Sequence, residues 1–409
     1  MKISFDVTQF LLQYGFETPT GISRVEFSYV KYLLQQDHHE VDFVTSYPPL
    51  LSVIDREKIV DYVRATERCW GIGTDAEVER DKRSVSTRRR AAASSLWNAT
   101  LNAASGRRRP NCSDKNGGIY LSVSGWRLPT PWVESWLLSK PHTRSIFLLH
   151  DIIPISHPEY VREKSRRKYK SYLRRVLNCA SLIIANSKDT EHALRGYCAK
   201  STTPVPPIEV IPLGVDPAHI GSKKHQGHTP DFFLVLGTVE PRKNHLFLLK
   251  VWKRMIQCAG KSNVPKLYIV GKLGWRGEEI LSELEKNPLL AQHIVHIKDA
   301  GDHRVQQLIQ DATAVLFPSL VEGYGLPLVE ALDQKARVLC SDLPVFRDLG
   351  GDFPEYLPVD NVEKWAEAIN TLATQTSSQL EVYQKKILSF QPPRWKQHFE
   401  QLEKKIVIM

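Results

Sequence analysis

A chain of 409 residues is too long for one ordinary core and fits two domains of about 150–200 residues each. Its 42% hydrophobic and 24% charged residues suit a globular protein, and no apolar run approaches the ~18 residues that span a bilayer. The six cysteines (Cys69, Cys112, Cys179, Cys198, Cys258 and Cys340) are scattered with no CxxC pair, which argues against a disulfide framework or a zinc site.

The opening MKISFDVTQF reads as a first strand rather than a secretory leader, so the chain is expected in the cytoplasm. From there short β-rich apolar runs alternate with longer helical stretches, a pattern of parallel sheets covered by helices. In the first half the strands are expected at Lys2–Val7, Val41–Thr45, Gly118–Val123, Arg144–Leu149, Leu182–Ala185 and Glu209–Ile211. Between the first strand and a helix carrying Val25, Tyr29, Val30 and Leu33 lies TPTGISR. Gly21 is expected to begin a turn where a phosphate or another ligand approaches the backbone. Arg24 suits either an acidic ligand or a partner on a neighbouring helix.

Charge is unevenly spread. Lys82 through Pro110 holds eight basic residues and no acid, and Arg162 through Arg175 holds eight more against Glu163 alone. Together they exceed the chain's net +10, so the remainder is acidic and a partner of negative charge should meet the first half. Ser84 to Gly106, rich in alanine and serine with Leu96, Trp97 and Leu101, is either a solvated loop or an interfacial helix whose arginines face anionic lipid. A peripheral contact with an anionic membrane is therefore expected through Lys82–Arg109. No aromatic-basic stacking pattern accompanies the charge, so nucleic acid is not an expected partner. Further on, His150 ends a strand in LHDIIP, where a histidine serves either structure or a ligand, and Asp151 is placed to orient it. Asn186-Ser187 closes the next strand.

Gly214 to Pro230, rich in glycine, proline and polar residues, is the clearest linker. Domains of residues 1–215 and 216–385 follow, with 386–409 forming a helix that crosses back to the first domain after a break at Pro392-Pro393. Second-half strands are expected at Phe232–Leu236, Lys266–Val270, Ile294–Ile297, Ala314–Phe317 and Arg337–Cys340. The first runs into GTVEPRKN, where Arg242 offers a planar fork and Lys243 a point charge for phosphate oxygens. Gly271-Lys272-Leu273-Gly274 is a glycine-rich strand end, and Lys298 and Asp299 close the next strand. After AVLFP comes SLVEGYGLPLVE, a glycine-permissive turn opening a helix whose unpaired amides and dipole favour an anion. Glu322 precedes that turn, placed to accept from sugar hydroxyls. Glu330 lies one helical turn past Leu326, in reach of a ribose diol.

The E-x7-E spacing of Glu322 and Glu330 around GYGLP resembles the signature of family 4 glycosyltransferases. With GTVEPRKN and HDIIP it is similar to bacterial transferases that build O-antigen, capsule or exopolysaccharide. The resemblance implies an α/β protein of the GT-B fold, two doubly wound Rossmann-like domains facing each other across a cleft. It implies a retaining hexosyltransferase moving a sugar, mannose from GDP-mannose as the best single choice, onto a glycan or lipid-linked acceptor. Residues 1–215 would bind the acceptor and 216–385 the nucleotide-sugar donor, at the inner face of the cytoplasmic membrane. Glu330 would hold the donor ribose, Glu322 the donor sugar, and the amides of Gly323, Tyr324, Gly325 and Leu326 the sugar and phosphate. His150 would reach the donor sugar, and Lys298 and Asp299 the base. Lys243 matches the family's lysine, whereas Thr238 stands where an arginine is usual and Arg242 substitutes for it. No Asp-x-Asp motif stands at a strand end, so neither a metal nor another cofactor is expected. Two alternatives remain open at this point: a GT-B epimerase or phosphorylase, and a non-catalytic protein binding membrane or nucleic acid.

Overall fold

Strands buried on both faces are apolar along nearly their whole length, and FFLVL, AVLF and, after its exposed first lysine, KLYIV have that composition. In the computed structural model they lie in the second of two compact units. Described are residues 1–13, 19–46, 51–70, 94, 117–125, 129–201, 204–217, 232–259 and 264–408. The basic stretch Lys82–Arg109 (Ser94 apart) and most of the linker, residues 218–230, lie outside them. Unit 1 comprises Met1–Pro158, Glu163–Pro212 and Phe399–Met409, and unit 2 comprises Glu159–Arg162 and Leu213–His398.

Unit 1 holds a seven-stranded sheet in the order β3-β2-β1-β4-β5-β6-β7. These are β1 (Lys2–Asp6), β2 (Glu40–Thr45), β3 (Ser52–Ile54), β4 (Gly118–Ser122), β5 (Thr143–Leu149), β6 (Leu182–Ala185) and β7 (Ile208–Val210). All pairings are parallel except β2 with β3, where Phe43 faces Ile54. The short β3 went unread in the sequence, because three residues carry no periodicity of their own. One face packs Tyr120, Phe147, Leu149 and Ile183 against Tyr172, Leu173 and Val176 of helix Glu163–Cys179. Elsewhere in the unit Phe5 stacks on Tyr29 of helix Gly21–Leu34, and Phe399 of the final helix, Trp395–Ile408, meets Tyr29 edge-on at 5.0 Å.

Unit 2 holds an all-parallel six-stranded sheet in the order β10-β9-β8-β11-β12-β13. Its strands are β8 (Phe232–Leu236), β9 (Lys266–Val270), β10 (Ile294–Ile297), β11 (Ala314–Phe317), β12 (Val338–Ser341) and β13 (Glu355–Leu357), the last also too short to read beforehand. Alternation divides β8 between two cores. Phe233 and Val235 join Trp252 and Trp365 on one face, and Leu234 and Leu236 join Leu328 and Phe346 on the other. The chain order reverses between β8 and β11, and such a switch point opens a crevice at the carboxyl ends of the strands. After helix Ser377–Ile387, Pro392 and Pro393 interrupt the chain, and Val215 N–H bonds to Pro393 O. Arg394 then clamps the buried Asp333 with two bonds of 2.8 and 2.7 Å. A Cβ on Gly214 would lie 2.1 Å from the Trp395 nitrogen, so only glycine fits where these segments cross.

Candidate active site

The loops after β8 and β11 flank the switch point of unit 2, and both belong to the same hydrogen-bonded structure. Gly237 leaves β8 at φ +121°, a 3-10 turn follows at Pro241–Lys243, and Asn244 adopts the left-handed conformation at φ 58°. Asparagine tolerates that region better than most residues, and helix His245–Ala259 starts directly after it. The loop leans on the turn after β9. Val239 N–H bonds to Lys272 O, and Gly274 N–H bonds back to Val239 O. A Cβ on Gly271 would stand 2.0 Å from Gly237 O, so that contact requires glycine. On the other side Leu320 N–H donates to Arg242 O at 2.8 Å, tying the loop to the segment after β11.

At the centre lies Glu322, its side chain 7% exposed. Lys243 Nζ donates to Oε1 at 2.5 Å, Ser319 Oγ to the same oxygen at 2.7 Å, and Arg242 Nη1 to Oε2 at 2.6 Å. Arg242 Nε also meets Glu240 at 2.7 Å. Burial by itself would raise the Glu322 carboxyl, but Lys243 and Arg242 outweigh it and hold the group at about 2. Burial lowers the Lys243 ammonium, which Glu322 opposes. Two cations and two carboxylates balance here, so the cations are fixed in place before any anion arrives. Fixed charges need no reorganisation when a negative ligand or leaving group appears.

Helix Leu326–Asp333 opens at Gly325, φ +126°, where a Cβ would lie 2.9 Å from the Phe346 ring. Its mouth is narrower than the sequence suggests. Pro327 has no N–H, and Leu328 N–H bonds back to Gly325 O at 3.0 Å. That leaves the Leu326 amide as the helix's first-turn donor for a ligand. Glu330 sits one turn on, half-buried.

Residues 220–387 match the family described as Glycosyl transferases group 1, and residues 125–219 match Glycosyltransferase Family 4. Over these two stretches the chain is similar to the family 4 glycosyltransferases. It is 28% identical over 269 residues to the serotype-specific mannosyltransferase WbdA of Escherichia coli, covering 57% of this chain and 32% of that protein. It is 24% identical over 261 residues to the O-antigen chain mannosyltransferase B of Escherichia coli, covering 57% and 66%. The chain thus spans less than two thirds of the length of these relatives. The solved structure of Anabaena Alr3699/HepE in complex with UDP and glucose shares its GT-B fold, with a TM-score of 0.61, 16% identity and full coverage of both chains.

The structure distributes the expected site residues unequally. Arg242, Lys243, Glu322 and the Gly323–Leu326 turn gather at the unit 2 switch point. Three bonds to Glu322 leave about one of its four acceptor positions open to a sugar hydroxyl, so positioning the cations is its main work in this state. The Tyr324 ring is buried and its hydroxyl donates to Leu213 O at 2.6 Å, so the side chain braces unit 2, and the role expected of this residue rests on its amide. Lys298 and Asp299 are exposed beyond β10, with Asp299 3.7 Å from Lys272. Gly21 is a correction. It begins no turn but is the first residue of its helix, behind a capping box formed by Thr20 and Ser23. His150 lies in unit 1, where burial lowers its ring to about 4. Its Nε2 is 2.8 Å from Val123 O, and a carbonyl only accepts, so Nε2 carries the proton and Nδ1 is the acceptor. Asp151 Oδ1 caps the following turn by accepting from Ile153 N–H, and Ser187 caps helix Lys188–Ser201 by accepting from Thr190 N–H.

Sequence reasoning missed several groups. Ser319 and Glu240 complete the cation cluster. His245, buried beside Lys243, is held near 3 by burial and then by Lys243, His296 and Arg242. In unit 1 a buried polar array lies at the ends of β1, β2 and β4. Asp6 accepts from Thr8 N–H and Tyr120 OH, and Glu26 accepts from Phe10 N–H and Ser124 OH. Burial pushes the Glu26 carboxyl to about 8, keeping it protonated at neutral pH. The only advance signal was polar residues closing apolar strands, as in FD, TS and SVS.

Proposed function

We propose that the chain is a retaining hexosyltransferase that takes a sugar from a nucleotide-sugar donor, mannose from GDP-mannose in the first instance, and adds it to a glycan or lipid-linked acceptor of cell-surface polysaccharide. The observation that carries this reading is the fixed pair Arg242 and Lys243, held through Glu322 beside the mouth of helix Leu326–Asp333. The names of the relatives, mannosyltransferases of O-antigen chains, support the sugar and the pathway class. In the proposed reaction the acceptor oxygen bonds to the anomeric carbon on the face the nucleotide leaves. The bond from that carbon to the phosphate oxygen breaks, and the acceptor proton passes to the departing phosphate. Arg242, Lys243 and the Leu326 amide stabilise the charge that builds on the diphosphate. These cations do the work a divalent ion does elsewhere, so the transfer step runs without metal. Glu330 takes the ribose, Lys298 and Asp299 the base, and neutral His150 accepts a sugar hydroxyl at Nδ1.

Helix Glu163–Cys179 supports an anionic partner for unit 1. Lys164, Arg166, Arg167, Lys168, Lys170 and Arg174 are exposed along it, suited to a lipid-linked phosphate acceptor at the cytoplasmic membrane face. Among the described residues no helix is long and apolar enough to cross a membrane. The test is product analysis by mass spectrometry with UDP-, GDP-, dTDP- and ADP-sugars and a polyprenyl-diphosphate-linked glycan, with chelator present. The reading expects a hexose added with retained configuration, and a sharp loss in Lys243→Ala and Glu330→Ala variants that still fold. Near-normal turnover in both variants overturns the assignment.

A further inference from the structure

We infer that His38, His39 and Glu403 form a binding site for a divalent transition-metal ion of the zinc type, a clip in unit 1 between the loop before β2 and the final helix. One ligand atom from each of the three residues lies within 4.8 Å of the others. Zinc bonds of about 2.0–2.2 Å place tetrahedral ligands roughly 3.5 Å apart, so His38, which is exposed, must close in by up to about an ångström. His39 Nε2 and Glu403 Oε2 are 2.7 Å apart, with the imidazole 5% exposed, and must part by somewhat less than that as the ion takes the place of the proton between them. His39 Nδ1 is enclosed, with no hydrogen-bond partner among the described residues.

A second layer supports the carboxylate. Tyr32 OH donates to Glu403 Oε1 at 3.0 Å, and the Tyr32 ring stacks on Phe399, one helical turn before Glu403, with centroids 3.8 Å apart. Outer-shell donors of this kind orient metal-binding carboxylates. Two imidazoles and one carboxylate select a borderline ion over the hard magnesium and calcium ions, which take oxygen sets. The cysteine pattern argued against zinc because it looked for thiolates; this donor set contains none. His39 and Glu403 are 364 positions apart, so an ion joining them restrains a very long loop of the unfolded chain and favours the docked final helix. The inference is independent of the transferase reading.

Calorimetric titration of zinc chloride into the full, tag-free, chelator-stripped chain tests it. One saturable zinc per chain is expected, with a raised melting temperature. His38→Ala and Glu403→Gln should each weaken binding about tenfold or more, and Tyr32→Phe by a comparable or smaller factor. Because His38 is exposed, His38→Ala should leave the metal-free melting curve unchanged, so lost binding cannot be lost folding. Cobalt in place of zinc should show the intense visible bands of a tetrahedral site. No saturable binding, undiminished affinity in His38→Ala and Glu403→Gln, or displacement by equimolar magnesium would overturn the inference.

Discussion

Replacing Glu322 by glutamine keeps the side-chain shape and removes the one charge that both cations share. In the native protein Lys243, Ser319 and Arg242 approach its oxygens at 2.5, 2.7 and 2.6 Å and hold the carboxyl at about 2, against 4.5 for an ordinary glutamate. At 1.36 kcal/mol per pKa unit, that depression corresponds to stability of order 3 kcal/mol. The folded value is lowered, so the contribution is complete above about pH 4.5 and disappears as pH falls toward 2. The glutamine variant lacks it at every pH. The difference between the two proteins should therefore be about 3 kcal/mol at pH 7 and shrink steadily below pH 4.5. A chain of two units need not unfold in one step, so the measurement should be local. Hydrogen exchange of peptides covering β8 and β11, referenced to intrinsic rates at each pH, reports unit 2 alone. A difference under 1 kcal/mol at pH 7, or one that persists unchanged at pH 3, refutes the electrostatic argument.

Gly325→Ala places a methyl 2.9 Å from the Phe346 ring at φ +126°, a strain of about 1–3 kcal/mol. A lowered melting temperature and weaker donor binding should appear together, since the Leu326 amide moves with the turn. Tyr324→Phe leaves Leu213 O without its donor and should cost about 1–2 kcal/mol, while donor affinity by calorimetry stays unchanged; an affinity loss would mean that the hydroxyl touches the ligand. For His150 the folded ring titrates at about 4 against 6.5 when free. The unfolded chain then takes up a proton that the folded one refuses, so stability declines as pH falls from about 6.5 to 4. His150→Asn should flatten that decline in pH-dependent melting, and native turnover above pH 6.5 should show no ionisation belonging to His150.

Much of the fold was legible because parallel strands buried on both faces leave unbroken apolar runs, as at Phe232–Leu236 and Ala314–Phe317. Ser52–Ile54 and Glu355–Leu357 were not, since a three-residue edge owes much of its structure to the neighbouring strand, although the equally short edge Ile208–Val210 was read. At the site, residue types and turns were readable, but partners were not. Nothing local to Glu322 says that Lys243, 79 positions earlier, would occupy it. The bracing of Leu213 O by the Tyr324 hydroxyl was not readable either, because sequence gives no sense of which way a ring points. Pro327 did carry a readable message, one amide fewer at the helix mouth. The pairing of Asp6 with Tyr120, 114 positions away, had no local signature at all.

The account rests most directly on diphosphate capture by Arg242 and Lys243. Calorimetric titration of GDP and GDP-mannose into the native chain, Lys243→Met and Arg242→Met measures it. Charge-assisted bonds contribute about 1.5–3 kcal/mol each, so either variant should bind about tenfold or more weakly than the native chain. Native affinity retained in both variants, or no nucleotide sugar bound by the native chain, would contradict the account.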